Sequence, residues 1–223
     1  MLTMMESMTE RTIVQVNQLI KKNVPEQFVD KWTVKVEDGS VAFGSAYNKW
    51  GISIAKMKET GIGFKEVFDY CKKGDQKFLA QKSPVAATVL EMVIKHLPSP
   101  LQAQKYRIPK IWTGELESES GKSMTNCDAS APMIMMITDV RVDKHAGDIA
   151  TGRIYSGTVT RGSKVRLLGL QKEIAIQKVG VFMGPDFIDA EKVPAGNIAA
   201  LIGLREVFAG ETISEGEIKQ FEE

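Results

Sequence analysis

Ile149-Ala150-Thr151-Gly152-Arg153-Ile154-Tyr155-Ser156-Gly157 is the stretch on which the reading of this chain turns. Ala150 and Gly152 alternate with Ile149, Thr151 and Arg153, the period-2 pattern of a strand. Small residues on the inward side let an antiparallel sheet curl tightly and close. The same alternation recurs on both sides, with candidate strands at 132–142, 148–156, 164–170, 174–183 and 197–204 and a shorter one near 211–214. Turn signals separate them at His145-Ala146-Gly147, Arg161-Gly162-Ser163, Gly184-Pro185-Asp186 and Pro194-Ala195-Gly196. Short strands at this spacing predict a small β-barrel or sandwich over 131–216, with 217–223 as a tail.

Upstream of Pro98-Ser99-Pro100 the pattern changes to helical, which predicts two domains and not one mixed sheet. Thr3 and Glu6 have capping-box spacing, and Met5, Met8, Ile13, Val16 and Ile20 follow at helical intervals, predicting a helix over 4–22 that Pro25 keeps from continuing. Trp32, Val34 and Val36 alternate with Lys31, Thr33 and Lys35, and Asp38-Gly39 is followed by Val41 and Phe43. This predicts strands near 32–36 and 40–44. Helices are predicted near 47–58, 64–72 and 76–82. A better one spans 85–97, with Ser83-Pro84 ahead of it and Val85, Val89, Met92, Val93 and His96 on one face. Residues 98–130 read as a connector into the barrel, with a short strand at Ile111-Trp112.

Of the 223 residues, 43% are apolar and 26% charged, enough apolar side chain to bury a core without disulfide or metal staples. No apolar run approaches the length of a membrane span, and the N-terminus has no signal-peptide pattern. Cys71 and Cys127 stand apart and read as reduced thiols of a cytosolic protein. His96 and His145 are the only histidines, and neither has metal-ligand spacing to a second donor, so no metal site is expected. The net charge of +1 is unevenly spread: residues 1–110 carry 17 Lys and Arg against 11 Asp and Glu, and residues 131–180 carry 8 against 4. Arg141, Lys144, Arg153, Arg161, Lys164, Arg166, Lys172 and Lys178 could form a phosphate-contact patch; scattered surface charge accounts for them equally well. Tyr155, Phe182, Phe187 and Phe208 form no obvious platform for stacking bases.

Gly121-Lys122-Ser123 tempts a phosphate-loop reading, but position 116, where the motif needs Gly, is Leu116. A polar loop is the better reading. Ser123, Cys71 and Cys127 lack the setting of a nucleophile, His145 reads as a hairpin-loop residue, and no catalytic residue is assigned.

Several stretches resemble one family. Val36-Glu37-Asp38-Gly39-Ser40-Val41-Ala42-Phe43-Gly44-Ser45-Ala46-Tyr47 is similar to the closing segment of the GTPase domain in the elongation factor 2 family of archaeal and eukaryotic ribosomal translocases. His96 to Pro100 and Ala103 to Pro109 resemble that family's passage into its second domain. Asp143 to Arg153, Ser156 to Gly162 and Pro194 to Ala200 resemble the β-barrel second domain of translational GTPases. The resemblance runs over essentially the whole chain, in family order, and is closest to the archaeal branch.

It implies the C-terminal part of a P-loop GTPase α/β domain at 1–97, a linker at 98–130 and a translation-factor β-barrel at 131–216. The intact family uses GTP or GDP with magnesium. Gly44, Ser45 and Ala46 match its fifth guanine-nucleotide motif, in which a backbone amide approaches the guanine carbonyl and small residues allow that approach. The phosphate loop, the switch elements and the Asn-Lys-x-Asp motif are not in this sequence. One or two amide contacts, each worth about 0.5–1.5 kcal/mol net, do not replace them. The expectation is therefore an internal fragment that neither binds GTP usefully nor hydrolyses it alone.

The implied partners are the small-subunit ribosomal RNA and the other domains of the factor, in the cytoplasm, with no membrane. Arg153, Lys164 and Arg166 are the first candidates for RNA contact. A free-standing ribosome- or RNA-binding module without nucleotide is the alternative. Self-association through exposed apolar surface in 1–97, near Met5, Met8, Val34, Val36 and Val41, is also expected.

Overall fold

The computed structural model describes residues 2–143 and 147–221, with side chains from residue 10 onward. Lys144 and His145, and the side chains of Thr3, Met5, Glu6 and Met8, lie outside the described residues. The chain divides into two compact units, Met1–Leu97 and Pro98–Glu223.

The first unit carries α1 (Leu2–Asn23), α2 (Glu26–Trp32), β1 (Phe43–Ser45), β2 (Trp50–Ile52), α3 (Ile54–Thr60), α4 (Phe64–Lys73), α5 (Gln76–Lys82) and α6 (Val85–His96). Its core is built from Trp50, Ile52, Ile62, Val67 and Leu79, with Phe43, Met57, Tyr70 and Phe78 packed against it. The antiparallel pair β1–β2 is held at its far edge by the turn between α5 and α6. Gly51 N–H donates to Ser83 O at 3.0 Å, Val85 N–H donates to Lys49 O at 3.1 Å, and the Ser83 and Thr88 hydroxyls both donate to Gly51 O. This is why α6 buries Thr88. The face that carries Val85, Val89, Met92, Val93 and His96 is half open: Val89 is 49% exposed and Val93 42%. Exposed apolar side chains include those of α1, Leu90 and Ile94 of α6, Leu97 just after it, and Tyr47 and Phe64. Val34, Val36 and Val41 are half-buried.

Three expectations fail here, in whole or in part. No strand forms at 32–36: Trp32 ends α2, and residues 33–36 join no ladder. A strand needs a neighbour for its backbone groups, and here side chains take that role. Asn17 Nδ2 donates to Val34 O at 3.0 Å while Val34 N–H donates to Asn17 Oδ1 at 2.9 Å, and Lys35 N–H and O bond the Ser40 hydroxyl. The strand expected at 40–44 begins only at Phe43. The helix expected over 47–58 is also split, into β2 and an α3 capped by Ser53, whose Oγ accepts from Lys56 N–H. Replacing Asn17 with alanine removes two hydrogen bonds to one backbone residue. The expected cost is about 1–2 kcal/mol of stability, read as a lower urea midpoint at unchanged slope.

The second unit opens with α7 (Pro100–Ile111) and α8 (Glu119–Thr125), followed by β3 (Ile134–Asp143), β4 (Gly147–Ser156), β5 (Thr158–Thr160), β6 (Lys164–Leu167), β7 (Lys172–Ala175), β8 (Lys178–Met183), β9 (Asp186–Ala190), β10 (Lys192–Pro194), β11 (Ile198–Ile202) and β12 (Thr212–Ser214). Eight of these strands form one antiparallel sheet, ordered β7-β6-β12-β3-β4-β11-β8-β9, and β5 pairs with β10. The sheet curls. Val165 of β6, Val179 of β8, Leu201 of β11 and Ile213 of β12 meet in a single core, together with Met133, Met135, Ile137, Ile154 and Leu167.

Residues 98–130 are helical where an extended connector was expected, and Ile111-Trp112 closes α7 instead of forming a strand. Ser99 and Gln102 make a capping box. The inward row of α7 includes Gln104, and Pro109 sits in its last turn, so neither the apolar period nor the breaker rule favours a helix. Gly121-Lys122-Ser123 lies inside α8 and not in a loop. A Cβ on Gly121 would stand 2.4 Å from Leu116 O, so glycine is there for the close approach of α8 to the preceding turn. Together α7, α8 and the C-terminal segment cover the outer side of the sheet: Ile108, Trp112, Met124 and Phe221 pack on Ile134 and Tyr155.

Candidate functional site

Gly44, Ser45 and Ala46 end β1 and begin a tight turn. Gly44 faces Gly51 across the ladder, and a Cβ there would meet Trp50 O at 2.5 Å, so the two strands approach as closely as they do only with glycine present. The Ser45 hydroxyl accepts from the backbone N–H and the side-chain amide of Asn48, at 3.1 and 3.0 Å, and Lys49 N–H donates to Ala46 O. Ser45 is thus occupied in holding the turn, while Gly44 and Ala46 are exposed. Backbone at an exposed strand end can approach a planar ligand. The site offers no cationic side chain to a phosphate at those three positions. Among the described residues no group of three or more His, Cys, Asp or Glu side chains is arranged to hold a metal ion.

The three basic residues expected at an RNA contact do not form one patch. Val165 and Leu167 point into the core, so Lys164 and Arg166 share the outer face of β6. Arg153 is on the outer face of β4, between the inward Gly152 and Ile154. In the sheet β12 and β3 separate β6 from β4, three strand spacings or about 14 Å. The layer formed by α7, α8 and Phe221 sits over the strands between them. Lys164 and Arg166 also share their concavity with Glu173, Glu215 and Glu217, and Arg166 is ion-paired with Glu217. That surroundings offsets their charge and weakens any attraction to phosphate.

Arg153 is placed differently. Its Nη1 donates to Gly196 O at 3.0 Å, and it has no carboxylate partner among the described residues. Gly196 has φ +85°, and a Cβ there would meet Cys127 Sγ at 2.9 Å and Pro100 Cβ at 3.0 Å, so the carbonyl that holds Arg153 is tightly positioned. Burial pushes the Tyr155 phenol above its ordinary range, and the charges of Arg107 and Arg153 pull it back. Burial likewise raises the Cys127 thiol, against the pull of Arg153. Arg107, on α7, was not singled out in the sequence. It lies in a segment read as a connector, and only the helix brings its charge to bear on Tyr155.

Residues 132–216 match the family model described as elongation factor G domain 2. Over 95% of its length the chain is 54% identical to "Elongation factor 2" of Methanopyrus kandleri, of which it spans 17%. It is 52% identical to "Elongation factor 2" of Thermococcus kodakarensis and 51% identical to that of Pyrococcus horikoshii, spanning 29% of each. The alignments cover both units and the passage between them. Identity at this level over both units, with the domain model on the curled sheet, makes this chain a member of the elongation factor 2 family that corresponds to a segment of its relatives' length.

Proposed function

We propose that this chain works in protein synthesis as part of an elongation factor 2-type ribosomal translocase. In that role 131–216 forms the barrel domain that packs on the GTPase domain and faces small-subunit ribosomal RNA, and 1–97 is the closing part of the GTPase domain. The observation that carries the reading is the match of 51–54% over 95% of the chain to proteins of that name. On this reading GTP or GDP with magnesium belongs to the whole factor. Gly44, Ser45 and Ala46 lend it one backbone contact to the guanine, and the protein is cytoplasmic. The open apolar face of α6 (Val89, Leu90, Val93, Ile94, Leu97) is a contact surface for other domains of the factor, or for a second copy when the chain is alone.

The test is co-sedimentation of the chain with archaeal ribosomes across a salt series, without nucleotide. The expected result is binding at low salt that weakens linearly in log–log form, with a slope of about −0.7 to −0.9 for each phosphate contacted. Failure to bind at low salt would remove the claim that this unit contacts ribosomal RNA by itself.

A further inference from the structure

The second unit holds two separate apolar clusters, one on each side of the sheet. Met135, Val165, Val179 and Leu201 belong to the barrel core on the inner side. The outer cluster gathers Ile108 of α7, Trp112, Met124 of α8, Ile134, Tyr155 and Phe221. Ile134 of β3 and Tyr155 of β4 are the floor of this outer cluster, and the other four come from α7, α8 and the segment after β12. The strands of the floor do not need the layer for their own pairing. β3 lies between β12 and β4, and β4 lies between β3 and β11. The layer joins the sheet through fewer bonds: the Gln104 amide donates to Tyr155 O at 2.8 Å, Ser156 Oγ bonds Ser123 Oγ at 3.0 Å, and Gly157 N–H donates to Asp128 O at 2.7 Å.

Residues 216–221 follow β12 and enter no helix or strand. Among the described residues no backbone–backbone hydrogen bond holds them, and side chains do so instead. The Trp112 indole donates to Lys219 O at 2.7 Å, and Lys219 Nζ donates to Thr113 O at 3.1 Å. Phe221 N–H donates to the Thr212 hydroxyl at 3.1 Å, and its ring meets Tyr155 with centroids 4.9 Å apart. The pair of Glu217 with Arg166 is largely exposed and adds little. A segment without a ladder belongs to the low end of local stability. Phe221 is nevertheless 3% exposed, so its departure would uncover the cluster that seats α7 and α8.

We infer that α7, α8 and residues 216–221 form one clasp, which opens from the sheet as a unit while the barrel core stays closed. Phe221 is its catch, because the ring sits in the same cluster as Ile108 and Met124. The bonds exchanged by Trp112, Thr113 and Lys219 tie the end of α7 to the segment. A displacement at Phe221 therefore reaches α7 without passing through the barrel core. On the function proposed above, the clasp is a mechanical joint between the chain that enters α7 and the chain that follows Phe221. The opening itself does not depend on that function.

Native-state amide hydrogen exchange on the full chain, at low denaturant, tests this. The slowest amides of α7 and α8 are expected to share one opening free energy, below that of β3, β4 and β11. Phe221→Ala should accelerate α7 and α8 by one common factor of about a hundredfold. Phe221→Leu should repeat the pattern at smaller size if the alanine variant no longer closes the layer. Val179→Ala, in the barrel core, should accelerate the strands about tenfold and leave α7 and α8 unchanged, because Val179 stays buried when only the clasp opens. A single opening free energy for helices and strands overturns the inference. So does acceleration of the helices together with the strands in Val179→Ala, or of α7 without α8 in the Phe221 variants. None of these outcomes bears on ribosome binding, so the proposed function stands or falls separately, by the salt series.

Discussion

Gly152→Ala is expected to destabilise the second unit by about 3 kcal/mol or more, enough to unfold a marginal domain. Gly152 lies in β4 opposite Ile137 of β3 and Ala199 of β11, with its missing side chain directed at β3. A Cβ there would stand 2.1 Å from Met136 O and 2.8 Å from Met136 C and Met135 Cε. The Met135 methyl ends a flexible side chain and can turn away. The Met136 carbonyl is backbone beside a register shift in the β3–β4 ladder, and it cannot retreat without loosening that ladder. Gly157 provides the comparison. It has φ +73°, and its Cβ would meet Met133 Cα at 2.4 Å, so Gly157→Ala adds conformational strain to a clash of similar depth. Thermal and urea unfolding measure both. A Gly152→Ala variant within about 0.5 kcal/mol of the parent would show that the carbonyl relaxes freely, and the steric account would be wrong.

The second large effect belongs to Glu211. This carboxylate is fully buried, at 0% exposure. Its Oε1 accepts from Gly169 N–H at 2.7 Å and from Thr212 N–H at 3.1 Å, tying the turn after β6 to the start of β12. Glu211→Ala leaves two backbone donors without an acceptor away from water. At about 1–3 kcal/mol for each unsatisfied group, a loss of about 3 kcal/mol is expected. Glu211→Gln keeps the carbonyl oxygen in place of Oε1 and removes a buried charge whose Oε2 has no partner. It should stay within about 1 kcal/mol of the parent, because relief of desolvation offsets weaker hydrogen bonds. The ratio of the two variants carries the argument. Equal losses for alanine and glutamine would mean that the charge, and not the acceptor geometry, holds the turn.

The regular strands were legible because a side chain that alternates in and out leaves a period of two in the sequence. The expected strands at 132–142, 148–156, 164–170, 197–204 and 211–214 meet β3, β4, β6, β11 and β12 within a few residues. The single run expected at 174–183 is β7 and β8, because Ile176 and Gln177 leave the ladder between them. The missed strands β5 and β10 have three residues each, too few to show a period, and β9 carries Asp186 and Asp189 on an edge. The strand expected at 32–36 had the pattern but no neighbouring strand, and Asn17 supplied the hydrogen bonds from a distance of 17 residues along the chain.

What the residues alone determined is the change from helical to β-rich character near Pro98, the family, and the need for small residues at 150 and 152. Each is a local or periodic property, written at the position where it acts. What only the tertiary structure decided is which cations share a surface. Arg153, Lys164 and Arg166 look equivalent on alternation, since each is an outward residue of a strand. The order of strands sets β6 and β4 apart, and the carboxylates of Glu173, Glu215 and Glu217 gather around one pair. The physical reason is that electrostatic interaction falls off with distance through space, and distance through space is set by packing, not by separation along the chain.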